Sequence, residues 1–405
     1  MSCVIVGAGQ AGVQLSVSLR EQGYDQDIHL IGLEPVAPYQ RPPLSKAYLL
    51  GKVEAENLTL RSQRALTDRG ITARLGTAVE NIDTDQQYIT LQSGEKLDYQ
   101  QLVLATGARN RNLPVAGAQS DNVFGLRNLA DADRLRQCLP EHRRAVVIGA
   151  GFIGMEFAAV ARQLGLEVSV VDIANRPFAR ALTEATSHYL QSLHNTEGVR
   201  FHLGRQVAAL HQQQGLVTAV ELDNGELLPC DLVLVGIGVT PNIELASQAG
   251  LETDNGIKVD ENLQTSSANI YALGDCVSFP AVFAEGKRSR LESVQNAVDQ
   301  ARCLAKTLTG NVTPYQALPW FWSDQYQSKL QIAGLSEGHD QCIIRPLGDK
   351  PGFAAFCLKQ GKLIAVETIN QPALHMQARK LIAQGIDLTP SQIEDPGTNL
   401  KVLLD

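Results

Sequence analysis

Apolar and polar positions recur in the same order twice along the chain. In each copy a short β-branched apolar run is followed by an amphipathic helical stretch and then by a second apolar run. This order is typical of a β–α–β unit whose parallel strands are buried. The repetition predicts a duplicated, doubly wound α/β fold. The apolar runs are residues 4–6 and 28–31 in the first copy, and residues 146–148 and 168–172 in the second.

Further apolar runs at residues 102–105, 232–235 and 270–273 predict additional strands of the same kind. After Gly310 the pattern changes to alternating strand-like stretches, which include residues 329–333 and 353–358, and then a helix near residues 373–384. This change predicts a separate C-terminal α+β domain with an antiparallel sheet capped by a helix.

Each of the two repeated units carries a G-x-G-x-x-G turn between its first strand and its helix. Glycine permits the tight turn and lets the backbone approach a pyrophosphate, while the helix N-terminus supplies partial positive charge. One such turn alone also occurs as plain structure, but two copies in this context indicate two dinucleotide sites. The glycines are Gly7, Gly9 and Gly12 in the first copy, and Gly149, Gly151 and Gly154 in the second.

Asp172, at the end of the second strand of the second copy, is placed to accept hydrogen bonds from the ribose hydroxyls of adenosine. A carboxylate there repels the extra phosphate of NADPH, so NADH is favoured, although the nearby cation Arg176 works against this preference. In the first copy the corresponding acid is Glu34, with an exposed loop glutamate as the alternative. Leu33 stands between Gly32 and Glu34, so the acid does not directly follow the glycine at the end of this run.

Composition narrows the class of protein. Hydrophobic residues make up 44% and charged residues 19% of 405, which indicates a packed protein with more than one domain. The net charge of −8 argues against nucleic acid as the main partner. No uninterrupted apolar run has the length of a membrane span, and the first strand begins too early for a targeting segment. We therefore expect a cytoplasmic protein.

The cysteines are scattered and no C-x-x-C occurs, which argues against a disulfide framework, a zinc site and a built-in iron–sulfur cluster. The eight histidines show no metal-ligand spacing, so no metal is predicted. The seven cysteines are Cys3, Cys138, Cys230, Cys276, Cys303, Cys342 and Cys357.

Five strings carry a resemblance to a known family. They are PYQRPPLSK at residues 38–46, ATGA at 105–108, YALGD at 271–275, RLESVQNA at 290–297 and PWFWSDQ at 319–325. With these strings the whole chain resembles the FAD-dependent NADH:ferredoxin reductases of bacterial monooxygenases and ring-hydroxylating dioxygenases, which belong to the glutathione-reductase structural class. The resemblance implies a discontinuous FAD-binding domain (1–112 and 242–315), an NAD-binding domain (113–241) and a C-terminal interface domain (316–405).

The resemblance also implies cofactor contacts at positions that match the family. Arg41 is expected to pair with the FAD pyrophosphate, a task suited to a guanidinium, and Asp275 to accept hydrogen bonds from the ribityl chain. The FAD contacts implied are Gly7, Gly9, Gly12, Glu34, Arg41, Lys46, Val79, Ala105, Thr106, Gly107, Arg127, Asp275, Ser293, Val294 and Trp322. The NAD contacts implied are Gly149, Gly151, Phe152, Ile153, Gly154, Glu156, Asp172, Gly238 and Glu292.

Four of these positions are implied to act in catalysis. Lys46 and Glu156 are expected to form an ion pair beside flavin N5, with Glu156 on the first turn of its helix; a surface lysine and an ordinary helix glutamate are the alternative. Phe152 is expected to cover the flavin until nicotinamide displaces it, or else simply to pack in the core. Trp322 is expected to lie against the flavin. A helix that begins near Glu292 is expected to direct its positive N-terminus at the flavin pyrimidine ring.

The electron acceptor follows from a missing cysteine. Residues 41–46 hold none, whereas disulfide reductases of this class carry a cysteine pair in that region, so electrons are expected to pass singly to an external [2Fe–2S] ferredoxin. Alternatives are a rubredoxin reductase, a monodehydroascorbate reductase, an NADH oxidase or a redox-sensing protein that resembles apoptosis-inducing factor. An acidic ferredoxin would need local basic residues, for which the candidates are Lys287, Arg288, Arg290, Arg302, Lys306 and Lys329, with Arg61 and Arg64.

Overall fold

A computed structural model describes residues 2–347 and 352–404. The strands are β1 (Ser2–Val6), β2 (Asp27–Gly32), β3 (Ile71–Leu75), β4 (Val79–Asp83), β5 (Tyr88–Leu91), β6 (Lys96–Asp98), β7 (Gln101–Leu104), β8 (Ala108–Asn110), β9 (Val123–Phe124), β10 (Arg144–Ile148), β11 (Glu167–Asp172), β12 (Val199–Leu203), β13 (Val207–Gln213), β14 (Leu216–Leu222), β15 (Leu227–Pro229), β16 (Leu232–Val235), β17 (Val239–Pro241), β18 (Ile257–Lys258), β19 (Ile270–Ala272), β20 (Val277–Pro280), β21 (Arg288–Ser289), β22 (Trp320–Gln325), β23 (Ser328–Gly334), β24 (Gln341–Arg345), β25 (Ala354–Lys359) and β26 (Lys362–Ile369).

The α-helices are α1 (Gln10–Glu21), α2 (Gln63–Thr67), α3 (Leu129–Cys138), α4 (Phe152–Gln163), α5 (Glu184–Thr196), α6 (Glu244–Gln248), α7 (Val294–Leu308), α8 (Pro372–Ala383) and α9 (Pro390–Glu394). Short 3₁₀ helices include Pro42–Ser45 and Ala55–Leu58. Within the described ranges, no helix combines the length and the apolar composition that crossing a bilayer requires.

The chain divides into two compact units, each made of three segments. The first unit comprises Met1–Gln40, Glu56–Arg109 and Thr240–Pro319, and the second comprises Arg41–Ala55, Asn110–Val239 and Trp320–Asp405. The three domain boundaries expected from the sequence stay a prediction beside this division.

The first unit is built on a parallel sheet with strand order β19-β7-β1-β2-β3. The central strand, β1, is apolar at its buried positions because both of its faces are covered, and Ile5 on this strand is fully buried. Leu15 and Leu19 of α1, which packs against α7, are also fully buried. Each such side chain contributes about 1.5–3 kcal/mol of burial free energy. An antiparallel meander, β4-β5-β6, follows the third strand of this sheet.

The second unit repeats this plan with the parallel order β12-β11-β10-β16-β9 and a second meander, β13-β14-β15. The predicted duplication is therefore confirmed, since each of the repeated apolar runs forms a strand of a parallel sheet: β1 and β2 in the first unit, β10 and β11 in the second. The meanders were not predicted, since β4, β6 and β15 are short or largely exposed and β13 is exposed at four of its seven positions, which leaves little apolar signal.

The second unit also contains an antiparallel sheet of order β22-β23-β26-β25-β24, on which α8 packs against β23 and β26. The predicted antiparallel C-terminal sheet with its helix is confirmed. Alternation places the side chains of Phe321, Ser323 and Glu367 on one face of this sheet, and those of Trp320 and Trp322 on the other.

Candidate functional site

The first glycine turn lies in the first unit, between β1 and α1. Gly7 has φ +118°, and a Cβ atom there would lie 2.1 Å from the carbonyl oxygen of Ala105, so only glycine fits. A Cβ at Gly12 would lie 1.9 Å from the carbonyl oxygen of Gly7. A Cβ at Gly9 would meet nothing within 4 Å. Gly9 is also the N-cap of α1 and supplies no side-chain cap.

The second glycine turn, in the second unit between β10 and α4, repeats this arrangement. Gly149 has φ +108° and its Cβ would lie 2.4 Å from the carbonyl oxygen of Gly236, while a Cβ at Gly154 would lie 2.0 Å from the oxygen of Gly149. Gly151 caps α4 without a side chain, and a Cβ there would meet nothing within 4 Å. Each turn thus needs two glycines for the fold and leaves open space at the third, beside an uncapped helix N-terminus.

Strand order places both turns where ligands bind in sheets of this kind. In the first parallel sheet, the central strand β1 has β2 on one side and β7 on the other. In the second, the central strand β10 has β11 on one side and β16 on the other. The crevice at the carboxyl ends of strands at such a switch point is where dinucleotides bind. The open space at the uncapped helix N-termini fits the pyrophosphate of one dinucleotide in each unit.

Asp172, at the end of β11, is held by the backbone. Its two carboxylate oxygens accept hydrogen bonds from the N–H of Ala150 at 2.6 Å, in the glycine turn, and from the N–H of Ala174 at 2.8 Å. Each oxygen keeps a further lone pair for a ribose hydroxyl. Arg176 was expected from the sequence to oppose the preference for NADH. Its guanidinium donates hydrogen bonds to the backbone carbonyls of residues 179 and 182.

Glu34 of the first unit is not the structural counterpart of Asp172 in the second unit. Ile31 pairs with Val6 at the end of β1, as residue 171 pairs with residue 148 in the second sheet, so Gly32 is the counterpart of Asp172. The Glu34 carboxylate accepts a hydrogen bond from the Tyr39 hydroxyl at 2.5 Å. Its role at the FAD ribose stays a prediction.

Other predicted FAD residues of the first unit lie at strand ends and at one helix start. Thr106 and Asn242 exchange hydrogen bonds of 2.7 and 2.8 Å, and Gly107 has φ +67°. Ser293 is the N-cap of α7, where its hydroxyl accepts from a backbone N–H at 3.0 Å. The helix begins at Val294, two residues after Glu292, near which its start was predicted, and the serine side chain caps its first turn. Val79 opens β4, Ala105 follows β7 and Asp275 follows β19.

Two predicted FAD residues of the second unit meet each other. Arg41 donates from Nη1 to the carbonyl oxygen of Arg127 at 2.8 Å, and the N–H of Arg127 donates to Asp131 at 2.9 Å. The loop that carries Arg127 is thus fixed from both sides, and the two arginines form one basic group beside the start of α3.

The predicted ion pair between Lys46 and Glu156 is present. Lys46 Nζ lies 2.6 Å from Glu156 Oε2, with the two side chains 19% and 3% exposed. Lys46 directly follows the 3₁₀ helix Pro42–Ser45, which packs against α4. Glu156 lies on the second turn of α4, so its expected place on the first turn was wrong. The reason is that Gly154, the last motif glycine, is already the third residue of the helix.

Two serines complete the carboxylate's surroundings and were missed from the sequence. The hydroxyl of Ser45 donates to Glu156 Oε2 at 2.5 Å, and the hydroxyl of fully buried Ser323 donates to Oε1 at 2.6 Å. Both serines lie inside strings that carry the family resemblance, PYQRPPLSK and PWFWSDQ, and neither string predicts a contact with Glu156. The buried carboxylate therefore faces one cation and two hydroxyl donors, so both of its oxygens have hydrogen-bond partners.

A network of hydrogen bonds continues from Ser323 within the second unit. Gln325 donates from Nε2 to Ser323 Oγ at 3.1 Å, and its Oε1 lies 2.8 Å from His194 Nε2. Burial lowers the pKa of His194 to about 4, so the ring is neutral. This network assigns the proton to Nε2, and Nδ1, 3.4 Å from the Tyr326 hydroxyl, then accepts. Each hydrogen bond of this network, from His194 through Gln325 and Ser323, is then donated in the direction of Glu156.

Aromatic rings surround the start of α4. The Phe152 ring lies 5.2 Å from that of Phe178 and 4.5 Å from that of Phe321, and Trp322 lies 6.3 Å from Phe321. Phe152 is therefore packed within the second unit, and its predicted role as a cover for the flavin stays a prediction, as does that of Trp322. Among the remaining NAD candidates, Ile153 is 41% exposed, Gly238 has φ +98° and Glu292 pairs with Arg290 at 2.5 Å.

In the described ranges, no group of three or more histidine, cysteine or acidic side chains is placed to hold a metal ion.

Comparison with known proteins covers nearly the whole chain. Residues 1–301 match the family described as pyridine nucleotide-disulphide oxidoreductase, and residues 320–404 match the reductase C-terminal family. Rhodocoxin reductase of Rhodococcus erythropolis is 48% identical over 404 residues, which cover 100% of this chain and 94% of that protein.

Two solved structures have the same fold over all or nearly all of their length. The ferredoxin reductase for the CYP199A2 system of Rhodopseudomonas palustris superposes with a TM-score of 0.97 at 46% identity, covering 100% of both chains. The reductase in a covalent putidaredoxin reductase–putidaredoxin complex superposes with a TM-score of 0.96 at 42% identity, covering 100% of this chain and 98% of that one.

Proposed function

Because the chain belongs to the pyridine nucleotide-disulphide oxidoreductase family, we propose that it is an NADH-dependent, FAD-containing reductase that delivers single electrons to a [2Fe–2S] ferredoxin of an oxygenase system. The observation that carries the proposal is the 3₁₀ helix Pro42–Ser45 beside α4: it has Ser45 and Lys46 bound to Glu156, and no cysteine. Without a cysteine there, electrons have no disulfide to reduce and leave to an external acceptor.

The two glycine turns would hold the two cofactors. The turn of the first unit fits the FAD pyrophosphate and that of the second unit fits the pyrophosphate of NADH. FAD supplies the chemistry of accepting a hydride and releasing electrons singly. The residues of the chain bind and orient: the Lys46 ammonium is held by Glu156, and Asp172 is held by the glycine turn. The remaining predicted contacts, the three domain boundaries and the cytoplasmic location belong to this proposal and stay predictions.

We expect Asp172 to set the preference for NADH. In Asp172→Asn the amide oxygen can still accept from the Ala150 N–H, so the glycine turn keeps its shape while the charge that repels a 2′-phosphate is lost. The loss of one charge-assisted hydrogen bond should weaken NADH use by about 1–2 kcal/mol and raise NADPH use. The ratio of kcat/KM for the two nucleotides measures this. Arg176→Ala is the matched control and should leave the ratio unchanged; equal use of both nucleotides by the unmodified protein would contradict the assignment.

Internal bonds separate the predicted docking cations into two groups. Arg288 donates to the backbone carbonyl of Val259 at 2.8 Å, and Arg290, only 9% exposed, pairs with Glu292 at 2.5 Å. Charge reversal at either position would disturb the fold of the first unit. Arg288 is therefore an unsuitable docking test.

Exposed cations on α7 are better candidates. Arg302 is 62% exposed with its carboxylate neighbour 3.9 Å away, and Lys306, one helical turn further, is exposed on the same face. Lys287 and Lys329 are also exposed. An acidic ferredoxin approaching a protein of net charge −8 needs such a local positive surface.

We expect Arg302→Glu combined with Lys306→Glu to raise the apparent KM for ferredoxin and to flatten its dependence on ionic strength, because exposed charges act on association and are screened by salt. Reduction of ferricyanide by the same variant should change little. Lys362→Glu, a charge reversal at an exposed position of β26, is the control. An equal loss with both acceptors would place the docking surface elsewhere. Faster turnover of the unmodified protein with a rubredoxin or with oxygen than with a panel of [2Fe–2S] ferredoxins would overturn the proposed function itself.

A further inference from the structure

Two of the scattered cysteines become neighbours in the antiparallel sheet. Cys342 on β24 and Cys357 on β25 are direct register partners, so their side chains project from the same face of the sheet. Their thiols are within hydrogen-bonding reach, and both are reduced. β24 is the edge strand, which leaves Cys342 exposed, whereas Cys357 on the inner strand is fully buried.

The geometry of this pair suits a disulfide. Directly opposite residues of antiparallel strands have Cα atoms about 4.5–5.5 Å apart, and disulfides span Cα separations of about 4.4–6.8 Å. The Cα separation of such a register pair therefore lies within the range that a disulfide spans. The neighbouring pair on the same ladder, Ile344 opposite Ala355, holds the register on one side.

The two thiols differ in a way that assigns them different tasks. The hydrogen bond from the Cys357 thiol lowers the pKa of Cys342 to about 7, against the opposing effects of burial and of the Glu367 carboxylate, and His339 adds to the lowering. The same hydrogen bond and burial raise the pKa of Cys357. An exposed sulfur atom that ionises readily, beside a buried thiol that does not, is the arrangement of an attacking and a resolving cysteine.

We propose that Cys342 and Cys357 form a thiol pair that hydrogen peroxide oxidises reversibly to a cross-strand disulfide, separate from the hydride and electron transfer of the enzyme. The Cys342 thiolate attacks one oxygen of hydrogen peroxide, the O–O bond breaks, and a sulfenic acid and hydroxide form. The Cys357 sulfur then attacks Cys342 Sγ, the S–O bond breaks, and the hydroxyl leaves as water once protonated. In sum, two thiols and one peroxide give one disulfide and two waters, and a small dithiol restores the thiols by exchange.

The cysteine pair lies next to a contact that joins two elements of the second unit. Glu367, on the same face of the sheet, accepts hydrogen bonds from the N–H of Thr183 at 2.9 Å and from its hydroxyl at 2.7 Å. Thr183 caps α5, and its hydroxyl also lies beside the Cys342 thiol. Oxidation therefore removes a polar thiol next to the contact that joins the antiparallel sheet to α5.

The test uses the intact flavin-containing protein treated with hydrogen peroxide. The unmodified chain should lose two of its seven thiols, and its mass should fall by that of two hydrogen atoms. Peptide mapping should place the bond between residues 342 and 357, and dithiothreitol should reverse it. Cys342→Ser should keep its remaining thiols, and Cys357→Ser should accumulate a sulfenic acid at residue 342 that dimedone traps. Both outcomes support the pair.

Cys138→Ser is the matched control. Cys138 is half-buried and its thiol donates to the carbonyl of Leu135 at 3.3 Å, and burial raises the pKa of that thiol. That variant should form the disulfide at the rate of the unmodified chain. The proposal is overturned if the unmodified protein gains oxygen atoms without losing a pair of thiols, if Cys342→Ser still loses two, or if the disulfide maps to other residues. None of these readouts depends on NADH or ferredoxin turnover, so they stand apart from the proposed function.

Discussion

Glu156→Gln is expected to slow the reduction of bound FAD by NADH about ten- to a hundredfold. Glutamine keeps the size of the side chain, and its amide oxygen still accepts a hydrogen bond from Ser45 or Ser323. It removes the charge that holds the Lys46 ammonium at 2.6 Å. A hydrogen bond to a charged group is worth about 1.5–3 kcal/mol, and about 1.4 kcal/mol corresponds to a factor of ten in rate.

Anaerobic stopped-flow absorbance at increasing NADH concentration measures this effect. A role in positioning Lys46 predicts a fall in the limiting rate with a small change in the half-saturating concentration, while a role in binding predicts the reverse. Lys46→Met should produce a loss of similar size, since it removes the other half of the pair. Flavin content and the melting temperature of each variant report whether the fold is intact.

Ser323→Ala is the control for this pair because it removes a donor and leaves both charges. Ser323→Ala should lower the limiting rate of flavin reduction less than Glu156→Gln does. His194→Asn, at the far end of the hydrogen-bond network, should lower this rate less again. Unchanged limiting rates in both Glu156→Gln and Lys46→Met would show that the ion pair has no kinetic role, and the network would then serve only to join α4, β22 and α5.

The parts of the fold that the sequence predicted are those whose pattern is local. The run of residues 146–148, its glycine turn and the helix after it lie within one short segment, so a single window shows strand, turn and helix together. Asp172 could be placed for the same reason, since the end of β11 is adjacent to that segment. The parallel sheets followed once the unit was recognised twice.

Contacts between distant segments could not be predicted in this way. Ser323 meets Glu156 across 167 positions of the chain, and Ser45 meets it across 111. Neither serine belongs to a sequence motif that by itself predicts a chemical role. The sequence did not indicate that Cys342 and Cys357 are neighbours, because their approach depends on the register of β24 and β25, which their spacing along the chain does not show.

Gly151→Ala is expected to weaken NADH binding about five- to a hundredfold with little change in the stability of the protein. The position has φ −84° and ψ −173°, which alanine adopts without strain, and a Cβ there meets nothing within 4 Å of the protein. An added methyl group would instead occupy the space into which the pyrophosphate fits. Forcing an extra methyl group into a packed contact costs about 1–3 kcal/mol, which sets the expected range.

Gly9→Ala is the same change in the first unit, and we expect it to lower the FAD content of the purified protein while the apoprotein stays folded. Gly154→Ala is the contrasting variant: its Cβ would lie 2.0 Å from the oxygen of Gly149, so the backbone must shift and the melting temperature should fall. Titration of each folded variant with NADH or FAD, together with thermal unfolding, separates the two effects. If Gly151→Ala binds NADH as the unmodified protein does, the open space in the second turn is not where the phosphates lie. A fall in stability equal to that of Gly154→Ala would show that all three glycines serve the fold alone.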